Sequence, residues 1–556
     1  MFQLQRCDAQ KPVCGPCSRS TGAFADCEYT EHGLTRTQQL EDQIAVLEAR
    51  IEDLQSGSPN SMTLRNPYTG HFGQSPQSLQ RIRQSRPIPA TTQTPNIDII
   101  QSARLLEESH PDLHHRLIQS FLTHASQQTG FNFGFFLDIK RFSQTVFNDH
   151  VAERPTQALL NAIYLVSSRL EGSSFADSSE LRVAFVRRAL LNISSGLQAN
   201  CSQKVLHTIQ AEVLIANYLF CNGRIMEGRY HVVAAVSLVL SARLNKMTRS
   251  GNYSGFGHSS SGTSLGESAI GTGEMLPMSR DAVEEEERIH AFWTVLWLNN
   301  VWTAVDRLPS NIAYTTANAG VDTPWPVDFS EYKEGSTSRE ADNGGNTVQK
   351  FLMNVPDAAT SVNALYAKTG ILFEQATPIA VQYRADPHSE KLQRSFVAVD
   401  SLIQRLIQHQ LPPIASDTCT RSSSSLIVSP HDRLCLHTLA RIVVIRLHSP
   451  FANQDMNSFA RVVNAAREVA EAVRRVDIRE MPTVDPILAM LWTEVCQTFV
   501  NGIRSTRGLP SSPLSATRMR TMCEEIIGAM RHFASVSSSM EKQVDISHTM
   551  LQAAVT

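Results

Sequence analysis

Four of the chain's ten cysteines fall between Arg6 and Thr30, in RCDAQKPVCGPCSRSTGAFADCEYT. Their spacing is Cys7, six residues, Cys14, two residues, Cys17, nine residues, Cys27. A C-x-x-C pair closes two sulfurs on one metal, and Zn2+ at a structural site takes a closed tetrahedron of thiolates. The N-terminus lacks the charged-then-apolar pattern of a secretory signal, so these thiols are expected in a reducing compartment, where clustered cysteines bind metal more often than they form disulfides. Cys7, Cys14, Cys17 and Cys27 are therefore the candidate metal ligands and Zn2+ the expected cofactor; chance clustering and a single four-thiolate site are the alternatives. Cys201, Cys221, Cys419, Cys435, Cys496 and Cys523 are scattered through helical segments and read as buried apolar fillers.

Other chemistry-bearing patterns carry less. GTSLG (Gly262 to Gly266) fits the G-x-S-x-G nucleophile elbow, but that motif works only between a strand and a helix, and here it sits in a Gly/Ser-rich stretch. A hydrolase built on Ser264 has nothing else behind it. His110, His114 and His115 in HPDLHH read as a surface cluster at a helix start. Glu284 to Glu287 read as a solvated first turn whose charge complements the helix dipole. Phe131, Phe133, Phe135 and Phe136, with Trp293, Trp297 and Trp302, read as core, with a small-molecule pocket as the alternative. Neither a phosphate-cradling nor a dinucleotide-binding glycine motif is present, and no enzyme is expected.

The elements that would carry the cysteines follow directly. In Thr37 to Gln55, TQQLEDQIAVLEARIEDLQ, Leu40, Leu47 and Leu54 recur every seven residues with Ile44 and Ile51 between them. Leu at d with Ile at a favours a parallel two-stranded coil, and Arg36 at g can meet Glu41 at e of a partner. An amphipathic helix packed on its own domain is the alternative. Residues 56–96 are rich in Ser, Pro, Gln and Thr and read as a flexible linker, made mildly basic by Arg65, Arg81, Arg83 and Arg86. From Ile97 onward apolar residues recur at three-and-four spacing in segment after segment, with low-complexity insertions near 250–276 and 333–345. With 556 residues and 42% hydrophobic content the chain can bury a large core. The net charge of −3 confines any nucleic-acid contact to a local patch. The longest apolar run, Val232 to Ala242, falls far short of the roughly 20 residues of a membrane span.

C-x6-C-x2-C-x9-C, with Pro12 two residues before Cys14 and Tyr29 two after Cys27, resembles the second part of the fungal zinc binuclear cluster, a six-cysteine DNA-binding module. The coil and Ser/Pro linker behind it are also what that family shows. Thr208 to Lys246, with its Gly-Arg turn, is similar to the middle region of the fungal-specific transcription factor domain. Glu284 to Ile312, followed by VDTPWPVDF, resembles that domain's next element, an E-R-x-x-x-F-W segment and a P-S-x-I.

The resemblance implies a nuclear regulator of RNA polymerase II genes that binds double-stranded DNA at CGG-type half-sites as a homodimer, with two zinc ions per complete cluster, a small-molecule effector as a further partner and no membrane. Here the four cysteines match the third to sixth of the family's six. One metal would keep Cys7 and Cys14, the other Cys14, Cys17 and Cys27. Of the basic, base-reading part only Arg6 stands before Cys7, and Arg6 and Lys11 are the candidate DNA contacts. The expectation is that an upstream exon supplies the missing pair; true loss is the alternative, which would leave a helical dimeric interaction protein without DNA binding.

The expected fold class is mainly α, divided into a zinc-cluster remnant (1–30), a coiled coil (36–55), a linker (56–96), a large all-α domain (97–537) and a tail (538–556).

Overall fold

The computed structural model describes residues 112–127, 134–147, 154–170, 179–197, 201–247, 276–314, 320–329, 345–414, 428–481, 483–506 and 514–555. All lie within one compact unit, 92–556. The candidate zinc ligands, Arg6, Lys11, the Leu40 to Leu54 seam, the linker and nearly all of both low-complexity insertions lie outside the described residues.

The described residues are helical, with no strand among them. In chain order the helices are α1 (Leu113–Gln127), α2 (Ile139–Val146), α3 (Gln157–Leu170), α4 (Ser179–Leu197), α5 (Ser202–Cys221), α6 (Ile225–Ser241), α7 (Ala282–Val305), α8 (Thr347–Leu352), α9 (Val362–Ala385), α10 (Glu390–Arg405), α11 (Pro430–His448), α12 (Met456–Arg475), α13 (Ile487–Thr506), α14 (Ala516–Ala534) and α15 (Ser538–Val555). The mainly α expectation holds for this unit.

Local chemistry sets where these helices start. Ser361, Ser389, Ser429 and Ser515 each stand at an N-cap and accept from the backbone N–H three residues on, and Asp138, Asp281 and Asp455 do the same work. Each such cap satisfies a backbone donor that the first helical turn cannot, worth about 1 kcal/mol. Pro430 follows Ser429 at a position where its missing N–H costs nothing.

Helix α7 is the axis of the unit. Its 24 residues span roughly 36 Å. Nearly every side chain from Glu284 to Ala304 is buried, because α5, α6, α9 and α13 all pack against it. Trp293 stacks on Trp325 at 4.5 Å, Trp297 meets Tyr366 edge-on at 5.5 Å, and Trp302 lies flat on Phe220 at 3.6 Å. The tryptophans are core, as their spacing implied; Phe136 is fully buried and Phe135 packs on Phe121 and Phe142. One continuous apolar cluster runs from Phe121 to Ala554, with a satellite under α1, α3 and α4.

Two expectations need correction. Segment 538–556 was set apart as a tail, yet α15 packs on α5, α13 and α14 and buries Met540, Leu551 and Ala554. Its buried apolar residues, Met540, Val544, Leu551 and Ala554, are spaced by four, seven and three among many polar ones, a stripe too thin to stand out by composition. Cys201 and Cys221 are half-buried at helix ends rather than core fillers, whereas Cys435, Cys496 and Cys523 are buried. Cys419 lies outside the described residues.

The α5–α6 hairpin depends on two glycines. Gly223 has φ +69°, and Arg224 N–H reaches Leu219 O at 2.9 Å while Gly223 N–H reaches Phe220 O at 3.0 Å, the Schellman end of a helix. Gly228 faces the ring of Phe220, and a Cβ there would lie 2.5 Å from the ring. That ring is stacked flat on Trp302 in the core, which leaves it little room to move. Gly228→Ala is expected to cost about 1–3 kcal/mol although alanine is the better helix former, read as a lower urea midpoint at unchanged slope.

Candidate functional site

The two segments on which the resemblance rests meet around α7, whose carboxylate, imidazole and amide side chains are paired, while the buried Thr294 Oγ1 and Trp302 Nε1 have no hydrogen bond among the described residues. At the N-terminal end Asp281 caps Glu284 N–H. Glu284 is fully buried: its Oε1 accepts from Arg288 Nη2 and Ser202 Oγ, both at 2.6 Å, and its Oε2 from Arg280 Nε at 2.8 Å. Although burial alone would raise its pKa, these three donors hold the carboxyl down at about 2.

Glu286 and His290, one turn apart, grip the Val321 to Phe329 strap: Val327 N–H donates to Glu286 Oε1 at 3.0 Å, and His290 Nε2 donates to Val327 O at 2.6 Å. Trp293 Nε1 adds a bond to Pro324 O at 2.7 Å, and Ser361 Oγ another to Pro326 O at 2.5 Å. Glu287 accepts Asp138 N–H at 3.0 Å and faces Arg141 at 3.7 Å. The acidic run is thus a correction. Glu284, Glu286 and Glu287 are buried and Glu285 half-buried. Charge at a helix start reads as solvated only while the partners at 138, 141, 202 and 327 are out of view.

At the other end of α7 a one-way chain of hydrogen bonds begins. Asn311 donates to Asn299 at 2.7 Å, Asn299 to Ser310 at 2.8 Å, Ser310 to Asn300 at 2.8 Å, Asn300 to Tyr314 at 3.2 Å and Tyr314 to Glu374 at 2.5 Å. Burial and the facing Glu374 carboxylate push the Tyr314 hydroxyl well above its ordinary pKa, so it stays a donor. Sequence reading passed over this network, although the buried pair Asn299–Asn300 inside an otherwise apolar helix is a signal that could have found it. The Pro309–Ser310–Asn311–Ile312 element is therefore a turn held by its own side chains against α7 and α9.

Among the remaining candidates, His114 stacks on Tyr164 at 4.6 Å and His115 is exposed beside Phe147; His110 and Gly262 to Gly266 lie outside the described residues. Among the described residues no group of three or more His, Cys, Asp and Glu side chains is placed to hold a metal ion, and no helix is long and apolar enough to cross a membrane. Neither statement reaches Cys7, Cys14, Cys17 and Cys27. Comparison with family models, curated proteins and solved structures returned no match.

Glu287 gives this end of α7 a pH dependence. Burial raises its pKa from 4.5 to about 7, Arg141 and the Asp138 N–H opposing only in part. An acid raised on folding holds its proton longer in the folded state than in the unfolded one, so its contribution favours folding below pH 4.5 and is lost as pH rises from 4.5 to 7. Glu287→Gln, which keeps an acceptor for Asp138 N–H, is expected to flatten the stability profile across that window in urea titrations at stepped pH; a profile parallel to the wild type's would count against this assignment.

Proposed function

We propose that the protein is a sequence-specific, DNA-binding transcription regulator of the fungal zinc-cluster type, acting in the nucleus on RNA polymerase II genes. The observation that carries the reading is the order of features along the chain: Cys7, Cys14, Cys17 and Cys27 at cluster spacing, then the Leu40, Ile44, Leu47, Ile51, Leu54 seam, then a Ser/Pro linker, then a large helical domain. In this reading the cysteines hold Zn2+, Arg6 and Lys11 contact DNA, and the seam pairs two chains so that two CGG-like half-sites are read together.

The chemistry of the cluster also favours a second reading. Two zinc ions in this topology share six thiolates, and four leave both ions short of a tetrahedron, which removes binding energy that folds the module. These residues by themselves would then hold zinc and DNA weakly, and the seam would act as a helical interaction device that pairs with other chains without touching DNA.

The two readings part on DNA binding. A mobility-shift titration on paired CGG half-sites is expected to show weak binding for the 556-residue chain and binding at least a hundredfold tighter when an in-frame C-x2-C and basic run precede it. That tight binding should fall steeply with added salt, as phosphate contacts require. Equal, weak binding by both forms would leave the interaction reading standing.

A further inference from the structure

A cavity of about 40 Å3 lies where the C-terminal ends of α3 and α5 meet the start of α11, the segment before α13 and the α14–α15 junction. Its walls are mostly apolar, from Val166, Leu170, Val484 and Pro486, with Val536 at 38% exposure. Into this apolar setting the fold brings Arg169, Asp485, His431 and Cys221. Apolar walls with a few convergent polar groups are the lining of a small-molecule site, here enclosing far less than the several hundred Å3 of a typical ligand pocket and so taking only a head group of a few atoms.

The polar groups are incompletely used by the protein. Asp485 spends Oδ1 on Ile487 N–H at 2.9 Å and its own N–H on His431 Nε2 at 3.0 Å, and Oδ2 has no hydrogen bond among the described residues. Because His431 Nε2 accepts, the neutral ring carries its proton on Nδ1. That buried Nδ1 likewise has no partner among the described residues. His431 is 6% exposed. Its pKa is held down at about 4 by burial, so the ring stays neutral, and burial raises Asp485 to about 6. Arg169 donates to Val536 O and lies over the Tyr218 ring. Arg169 and Asp485 form no ion pair with each other among the described residues. Arg169 and Asp485 each keep some exposure to solvent, whereas the His431 Nδ1–H is a buried donor with no partner among the described residues, and a buried donor left without an acceptor is costly.

We propose that this cavity binds a small uncharged or zwitterionic molecule with one hydrogen-bond donor and one acceptor on a short apolar body, its donor meeting the Asp485 carboxyl and its acceptor the Arg169 guanidinium or the His431 Nδ1–H. The opposed charges of Arg169 and Asp485 select against a ligand with net charge of either sign. The volume admits a polar head of a few atoms, with the body resting on Leu170 and Val536. Such a ligand joins α3 and α5, early in the chain, to α11, α13 and the α14–α15 junction, late in it. The inference goes beyond the DNA-binding reading and stands whether or not that reading does.

The test uses the full chain and four probes of one shape: isobutyramide, valine, isobutyrate and isobutylamine, in thermal-shift and calorimetric titrations at pH 7.5. Isobutyramide or valine is expected to raise the melting temperature in a saturable way, the first pointing to an amide-like and the second to an amino-acid-like ligand. Asp485→Asn, which retains the acceptor for Ile487 N–H, and Arg169→Gln are each expected to weaken that binding at least tenfold. Absence of any shift, an equal response to isobutyrate or isobutylamine, or undiminished binding by the variants would overturn the proposal. Should a variant fail to fold, the wild type decides: saturating probe should slow iodoacetamide alkylation of Cys221, mapped by peptide mass, at least fivefold, and an unchanged rate would overturn it.

Discussion

A helix buried along almost its whole length can carry charged and amide side chains only if the protein supplies a partner for each, and α7 carries many. Removing a charge from water costs several kcal/mol that ion pairing alone seldom recovers, so Glu284 takes three donors, and Glu286 and His290 take the backbone N–H and C=O of one strap residue, Val327. Those requirements reach outward. They fix α2 through Asp138, the start of α5 through Ser202, the strap through Val327 and α9 through Glu374. Apolar packing supplies most of the driving force for this unit, but the polar contacts of α7 decide which arrangement of amphipathic helices it stabilises.

That division explains what the sequence disclosed. Three-and-four periodicity sufficed for the long amphipathic helices, and the steps between Trp293, Trp297 and Trp302 sufficed to place them in the core, because both signals are local. The acidic run misled because its partners lie up to about 150 residues away, and a short-range rule about helix dipoles filled the gap. Asn299, Asn300 and Tyr314 went unremarked although they share one short stretch of sequence with Ser310 and Asn311; what that stretch does not contain is Glu374, 60 residues on, which closes the network. In α15 the apolar stripe was too sparse to be weighed without α5, α13 and α14 beside it. The candidate zinc site is the reverse case: it rests on cysteine spacing alone and lies outside the described residues.

The proposed division of labour follows from these physical differences. The N-terminal hundred residues are polar, cysteine-bearing and poor in apolar periodicity apart from one seam, and the proposed reading gives them the tasks of holding metal, pairing chains and contacting DNA. The helical unit carries its own core, and the charged and amide groups of α7 find their partners within it.

The central claim concerns the cysteines, and zinc content by elemental analysis tests it most directly. Residues 1–60 would be purified in zinc-containing buffer, dialysed, and compared with the same segment preceded by an in-frame C-x2-C and basic run. The account predicts little zinc in the first and two ions per chain in the second. One tightly held zinc in the first would contradict it, because Cys7, Cys14, Cys17 and Cys27 would then form a closed four-thiolate site unlike the cluster they resemble.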